Sequence, residues 1–265
     1  MASSPGTARP VRDVPDLLRR LMDDDPGRPR LTWYGPDGER IELSAKVLDN
    51  WVAKTANLLV EEFDAGPGSR IALAMPAHWR TATWLLATWA LGACAVVLPD
   101  RPRPADVADA DVLVSDRPEP LTAVGSAVPT VAVALGGLAV AYGPELPVTA
   151  LDAAIEVRSR GDVFVPLVRP VPGDPAFAPA GCEAIDHGRL IEAAGAAADD
   201  DGLGERPRLL TDAGPSYAVR GLLAPLVRLG SVVLLPRLPG EGEPELDRLR
   251  EQEQVTHVLR THTSS

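Results

Sequence analysis

The apolar positions in the first part of the chain repeat with two spacings, one typical of helices and one typical of strands. The longest helical pattern follows Ser44 and runs to about Phe63, with apolar residues every three or four positions. Ser44 is a favourable helix N-cap. Before it, the extended segments 31–34 and 40–43 flank a Gly-Pro-Asp-Gly turn, which predicts a hairpin. A shorter helix is predicted over residues 14–24.

Strands and helices then alternate as in a parallel α/β sheet. The predicted elements are strand 70–75, helix 79–91, strand 94–98, a short helix 105–109, and strands 111–115 and 130–135. A strand, a helix and a strand with short links imply a parallel pair joined by a right-handed crossover. We therefore predict an α/β fold of mostly parallel sheets flanked by helices.

The second part of the chain continues this alternation after a proline-rich break at residues 170–175. The predicted elements are helix 150–158, strand 163–168, helix 188–198, strand 208–211, helix 216–229, strand 231–236, helix 244–254 and strand 256–259. These patterns divide the chain into a flexible N-terminus (1–13), a first α/β subdomain (14–170), a second α/β subdomain (171–259) and a tail (260–265).

Composition excludes several classes of function. A formal net charge of -11 over 265 residues argues against a nucleic-acid partner, which requires a basic face. Two cysteines cannot form a disulfide framework, and the four histidines are too scattered for a zinc site. Residues 81–99 carry no charge, but Gly92 interrupts them, so a helix followed by a strand explains them better than a membrane span. No signal peptide is recognised at the N-terminus, which predicts a cytoplasmic protein.

Several of these segments together carry a family resemblance. They are 31–34 (LTWY), 35–38 (GPDG), 39–44 (ERIELS), 66–73 (GPGSRIAL) and 91–99 (LGACAVVLP). Their order resembles the N-terminal portion of adenylate-forming enzymes, the acyl-CoA synthetase and AMP-binding ligase superfamily. It is also similar to a short actinobacterial family distantly related to AMP-binding enzymes. The resemblance covers about residues 14–259 and implies a truncated AMP-binding-synthetase-like N-terminal core that lacks the C-terminal lid domain.

The phosphate-binding loop of that superfamily is degenerate in this sequence. In the superfamily, a loop rich in Gly, Ser and Thr and ending in Pro-Lys-Gly wraps the ATP phosphates with its backbone N–H groups. The matching segment here, 173–181, contains no Ser, Thr or Lys, and Asp174 would repel a triphosphate. The last lysine of the chain is Lys54, so the superfamily's phosphate-loop and catalytic lysines have no counterpart. We interpret 173–181 as an ordinary surface loop, with a remnant that binds a smaller ligand as the alternative.

The resemblance also implies degenerate nucleotide-binding positions. Gly173, Ala180 and Gly181 belong to the segment that matches the phosphate loop. His187 matches a histidine at the start of a family helix, and we interpret it as an ordinary helix-start residue rather than a catalytic one. Tyr217 lies near a turn at which the family has a histidine or an aromatic residue. No catalytic residue and no metal ligand is predicted.

The leading hypothesis is a degenerate, non-catalytic protein that acts as a binding or regulatory module and needs no cofactor. A protein partner could dock at the truncated C-terminal face, whereas neither nucleic acid nor a membrane is expected as a partner. One alternative is an adenylate-forming ligase activity, on ATP plus a carboxylic acid, reconstituted with a separate chain. The other is a protein that binds a nucleotide or acyl group without chemistry. ATP or AMP with magnesium would be bound only under these alternatives, and the small-molecule ligand stays open.

Overall fold

The chain folds into two mostly parallel β-sheets with helices between and around them. The computed structural model describes residues 10–36, 38–122, 128–136, 139–143 and 145–261. The strands are β1 (Pro29–Tyr34), β2 (Arg40–Ser44), β3 (Arg70–Ala74), β4 (Cys94–Val97), β5 (Val112–Ser115), β6 (Thr130–Ala132), β7 (Ala150–Asp152), β8 (Pro175–Pro179), β9 (Ile185–Asp186), β10 (Arg208–Thr211), β11 (Ser231–Leu234) and β12 (His257–Leu259). The helices are α1 (Val14–Asp24), α2 (Ala45–Phe63), α3 (Trp79–Ala90), α4 (Glu119–Thr122), α5 (Ala153–Ser159), α6 (His187–Asp200), α7 (Ala224–Val227) and α8 (Pro244–Gln252).

Sheet topology sets the architecture. Sheet A has the strand order β12-β10-β11-β1-β2, and sheet B has the order β7-β6-β5-β3-β4-β8-β9. Within each sheet every neighbouring pair is parallel except the last, β1 with β2 and β8 with β9. The prediction of an α/β fold with mostly parallel sheets flanked by helices is confirmed.

Each sheet takes strands from both parts of the chain. Leu31 in β1 pairs with Val232 in β11 of sheet A, and Ala95 in β4 pairs with Phe177 in β8 of sheet B. The division into units 14–170 and 171–259 stays a prediction, and the topology adds that strand pairing crosses its boundary in both sheets. The predicted N-terminus and tail lie largely outside the described residues, as does the turn residue Asp37.

Helix α3 lies between the two sheets, because it packs against β1 of sheet A and β4 of sheet B. All of its residues are buried, which explains why the sequence has no charge from residue 81 to residue 99. Its buried threonines satisfy their hydroxyls locally, since Thr83 and Thr88 donate to the carbonyls of Trp79 and Trp84, four residues earlier. None of the helices in the described residues is long and apolar enough to cross a membrane.

Local sequence signals account for the helix ends. The Ser44 side chain accepts a hydrogen bond from the Val47 N–H, as expected for the N-cap of α2. The Asp13 side chain caps α1 in the same way, by accepting from the Asp16 N–H. Several predicted elements are confirmed, with ends shifted by a residue or two. They are the helix 14–24, the hairpin, the long helix that ends at Phe63, and the strands 70–75, 94–98 and 208–211.

Four predicted elements differ in kind, in whole or in part. The predicted helix 105–109 is a 3-10 helix over Pro104–Val107, and the first three residues of the predicted helix 150–158 form strand β7. Residues 163–168 belong to neither sheet, so the predicted strand there is wrong. Their β-branched composition favours an extended chain, but the edge of β4 is taken by β8 instead. The predicted helix 216–229 is broken into a 3-10 turn, a π-helical turn over Val219–Leu223 and the short α7. Pro225 has no N–H to donate, which interrupts the regular α-helical pattern there.

Candidate functional site

The segment that matches the superfamily's phosphate loop forms a β-hairpin in this structure. Most of residues 173–181, predicted as a surface loop, is strand β8, which pairs with β4 on one side and with β9 on the other. The prediction is therefore wrong for this stretch. The reason is tertiary packing, because Phe177 is buried against Trp89 with ring centroids 5.6 Å apart. The Trp89 indole Nε1 donates to the Ala176 carbonyl over 2.9 Å, which fixes the strand in place.

A short loop, residues 180–184, joins β8 to β9. Gly181 adopts a left-handed conformation with φ of 76°, which a side chain would disfavour. Two backbone N–H groups of the loop already donate hydrogen bonds within the protein. The Ala180 N–H donates to the Val97 carbonyl, and the Cys182 N–H donates to the Pro179 carbonyl. The loop also carries the exposed carboxylate of Glu183. Since a phosphate site needs free N–H groups and positive charge, this loop is a poor cradle for a polyphosphate.

His187 is the first residue of α6, directly after β9. Its backbone N–H donates to the Asp174 carbonyl over 3.0 Å, and its side chain is buried against the backbone of Gly92 and Ala93. Burial lowers the pKa of His187, so the imidazole is neutral at physiological pH. A buried, neutral histidine packed on a turn supports the helix start rather than a ligand.

The remaining two predicted positions lie on separate turns. Gly173 is exposed in the turn before β8, with open space where a side chain would be. Tyr217 is about half exposed, in the 3-10 turn Pro215–Tyr217 that follows β10 of sheet A. Gly173 therefore lies beside His187 at the open end of the hairpin, where the His187 N–H donates to Asp174 and the Gly188 N–H to Pro172. Ala180 and Gly181 lie at the turn, the other end of the hairpin, and Tyr217 lies on a connection of the other sheet.

A small apolar cavity lies between sheet A and helix α3. Its lining includes Leu31, His78, Ala82, Ala213, Pro215, Leu222 and Val232. The cavity volume is about 30 Å³, which has room for little more than one water molecule. Gly221 shows how tightly the wall is packed, because a Cβ there would lie 2.4 Å from the Cβ of Ala213. The space between the sheets is therefore filled by side chains.

His78, which sequence reasoning did not single out, forms part of this wall. It is the N-cap of α3, and its Nδ1 accepts a hydrogen bond from the Arg80 N–H over 3.0 Å. The ring stacks edge-on against Trp33, with centroids 4.2 Å apart. Burial, with a smaller effect of the Arg80 charge, lowers the pKa of His78 to about 3, so its imidazole is neutral. Its position just before a predicted helix was the available signal.

A second feature missed from the sequence is a buried charge cluster at Glu253, just past the end of α8. Its carboxylate accepts from the Tyr34 hydroxyl, from Arg40 over 3.0 Å and from Arg208. Arg208 also donates from Nε to the Glu253 carbonyl over 2.5 Å. The cluster ties α8 to β1, β2 and β10, and its groups are occupied by one another.

The surface beside β12 is polar. A shallow cavity of about 460 Å³ there is lined by Glu241, Arg250, residues 255–258 and Arg260. Arg260 donates from Nε to the Glu241 carboxylate over 2.9 Å, and Arg250 lies 3.5 Å from the same carboxylate. Across the described residues, no group of three or more His, Cys, Asp and Glu side chains is arranged to hold a metal ion.

Solved structures place this fold in a class. The chain superposes on an acyl-CoA synthetase of Brucella canis with a TM-score of 0.74 and 19% identity, over 92% of this chain and 47% of that one. It superposes on the N-terminal domain of FACL13 from Mycobacterium tuberculosis with a TM-score of 0.71 and 17% identity, over 94% and 62% of the two chains. A fatty acyl CoA synthetase of M. tuberculosis gives 0.69 and 16%, over 93% and 49%. The fold is that of the N-terminal portion of acyl-CoA synthetases, as the resemblance implied, and the chain spans about half to three fifths of their length.

Sequence comparison names the particular family. No protein-family model matches the chain. It is 39% identical over 255 residues to a TIGR03089 family protein of M. tuberculosis, an alignment that covers 92% of this chain and 96% of that protein. The chain belongs to the TIGR03089 family. This agrees with the predicted likeness to a short actinobacterial family.

Proposed function

We propose that this protein is a non-catalytic member of the adenylate-forming fold that acts as a binding or regulatory module. The observation that carries the proposal is the hairpin β8–β9. At the place that matches the superfamily's phosphate loop, the chain makes a five-residue turn, residues 180–184, with two committed amides and an exposed carboxylate. Adenylation requires stabilisation of charge at the transferring phosphoryl group. The side chains of the turn itself supply no positive charge for this stabilisation, because its one charged residue is Glu183.

The packing between the sheets supports the same proposal. A nucleotide or acyl ligand needs a cleft of several hundred Å³. The cavity beside His78 holds about 30 Å³, and Tyr217 lies on a different sheet's connection from the hairpin that carries Gly181. A small ligand held between sheet A and α3 would therefore require the cavity wall to move apart, which favours a macromolecular ligand over a small one at that place.

A protein partner at the C-terminal face remains part of the proposal. Strand β12 is the edge of sheet A and pairs with β10 alone, so its outer backbone groups are available for a further strand. The adjoining surface is polar and ion-paired rather than apolar. This favours a reversible partner over the permanently bound second half that a reconstituted ligase would need.

The test is isothermal titration of the purified chain with ATP-magnesium and with AMP, beside ATP–pyrophosphate exchange across a panel of carboxylic acids. We expect no exchange and no heat of binding. Exchange above the level of a heat-unfolded control would overturn the proposal and establish a ligase. Binding without exchange would instead establish a nucleotide-binding protein, and Gly181→Glu would then show whether the β8–β9 turn is the site.

The proposed setting is the cytoplasm. Both cysteines are free thiols, Cys94 buried and Cys182 exposed, and an exposed free thiol is typical of a reducing compartment. Fractionation of cells that express a tagged chain tests this localisation.

A further inference from the structure

An exposed apolar segment between α5 and β8 has no role in the function proposed above. We call residues 163–171 the apolar strap. Half of the large hydrophobic side chains that are exposed in the described residues belong to it: Val163 (73% exposed), Val165 (75%), Leu167 (99%), Val168 (57%) and Val171 (42%). Scattered exposed apolar residues are ordinary, but a contiguous group marks an interaction surface.

The strap is held in place at both ends. Near its start, the Asn57 side chain on α2 donates to the carbonyls of Gly161 and Val163 over 2.9 and 3.1 Å. Near its end, Arg169 pairs with Asp13 over 3.0 Å, and Pro170 is buried. Between these anchors, no backbone N–H of residues 163–168 donates to another group among the described residues. The strap is thus held near both ends and carries five exposed apolar side chains between and beside these anchors.

The exposed apolar area is a large part of the apolar surface that one side of a dimer interface needs. At roughly 100 Å² for a fully exposed aliphatic side chain, the five side chains present roughly 350 Å² of apolar surface. A standard interface buries about 800 Å² per partner, of which somewhat more than half is apolar. The strap therefore supplies most of the apolar share that one partner contributes, and an identical strap supplies the other.

The charges that flank the strap fit a second copy in the antiparallel direction. Asp162, exposed, precedes the strap's first valine, and Arg169, with 47% of its side chain exposed, lies near its other end. When two straps lie antiparallel about a two-fold axis, Asp162 of each chain faces Arg169 of the other, and Val165 lies near its own copy. We infer that two chains associate through their apolar straps in an antiparallel, two-fold arrangement.

Sedimentation velocity over a range of concentrations tests the dimer. We expect wild type to approach twice the 28.0 kDa of one chain. Val165→Asp with Leu167→Asp should weaken the dimer on the order of a hundredfold or more, because each two-fold copy loses its apolar contacts. Val148→Asp, at a fully exposed valine outside the strap, is the matched control and should leave the dimer intact. A wild type that stays monomeric, or a dimer that survives the double substitution, overturns the inference.

Charge exchange tests the antiparallel arrangement. Asp162→Arg and Arg169→Asp should each weaken self-association, while an equimolar mixture of the two variants should restore a dimer, because both contacts then join opposite charges. A mixture that stays monomeric contradicts the arrangement. Since Arg169→Asp also faces Asp13, a second variant is needed that does not depend on its folding. Val165→Cys in a Cys182→Ser background should form an intermolecular disulfide with added oxidant, and failure to cross-link would equally overturn the inference.

Discussion

The buried carboxylate of Glu253 gives the sharpest test of how this fold is held together. It is 4% exposed and accepts hydrogen bonds from Tyr34, Arg40 and Arg208, which belong to three different strands of sheet A. Glu253→Gln keeps the size of the side chain but leaves the two guanidinium groups without their shared counter-charge. We expect this substitution to loosen the attachment of α8 to the sheet.

The magnitude follows from the pKa of Glu253. Burial opposes the charged carboxylate, but the hydrogen bonds from Arg40, Tyr34 and Arg208 outweigh it and lower the pKa from 4.5 to about 2. At about 1.4 kcal/mol for each tenfold change in acid dissociation, this lowering corresponds to about 3 kcal/mol of stability. Because the folded-state pKa is below the unfolded one, that contribution is complete above pH 4.5 and is lost as the pH falls through about 2.

Urea unfolding at a series of pH values from 7 down to 3 measures the effect. At pH 7 we expect Glu253→Gln to lower the free energy of unfolding by about 3 kcal/mol, consistent with the cost of breaking a buried ion pair. At pH 3 the difference from wild type should shrink to about 1.5 kcal/mol, since part of the wild-type contribution is already lost. Glu251→Gln, on the exposed side of the same helix, is the control and should change stability by less than about 0.5 kcal/mol. A penalty that is equal at both pH values would refute the electrostatic reasoning.

Three further predictions concern packing and titration. Gly230→Ala would place its Cβ 2.3 Å from the Pro207 carbonyl oxygen and should cost about 1–3 kcal/mol in urea unfolding, whereas Gly195→Ala, in open space on α6, should add about 0.5–1 kcal/mol. His78→Asn keeps a helix-capping acceptor but removes an imidazole whose pKa burial lowers from 6.5 to about 3. Since unfolded histidine binds a proton below pH 6.5, wild type should lose about 1.4 kcal/mol per pH unit relative to the variant between pH 6.5 and 3, and parallel pH profiles would contradict this. Trp89→Phe removes the indole donor to the Ala176 carbonyl and should lower the free energy of unfolding in urea by about 0.5–1.5 kcal/mol.

Elements with strong local signals could be predicted from the sequence, and those decided by distant partners could not. The helix after Ser44 has an N-cap, a regular apolar period and sufficient length, so its pattern alone determines it. Strand β8 was missed because Pro175 and Pro179 bound it and suggest a loop. It forms because β4 offers an edge and Trp89 a hydrogen bond, neither of which is visible in the local sequence. Residues 163–168 are the opposite case, a segment whose β-branched composition suggested a strand but which joins neither sheet.

The candidate site shows the same limit. The sequence located the degenerate segment and its neighbour His187, since both lie close together along the chain. Tyr217 belongs to the connection after β10, and its distance from the hairpin could not be read from sequence order. The Glu253 cluster joins Tyr34 and Arg40 to a residue more than 200 positions away along the chain. No local sequence pattern could therefore predict it.

The same topology separates what stabilises the fold from the turn that matches the superfamily's phosphate loop. Strand β8 is part of the core, because Phe177 packs on Trp89 between the sheets and pairs with Ala95 in β4. The turn at residues 180–184 contributes exposed side chains and one glycine, so its length and composition can change at little cost in stability. The strand is therefore needed for the stability of the fold, whereas the composition of the turn is not. The proposed binding function is compatible with this fold, because β8 stabilises the sheet whether or not the turn binds a phosphate.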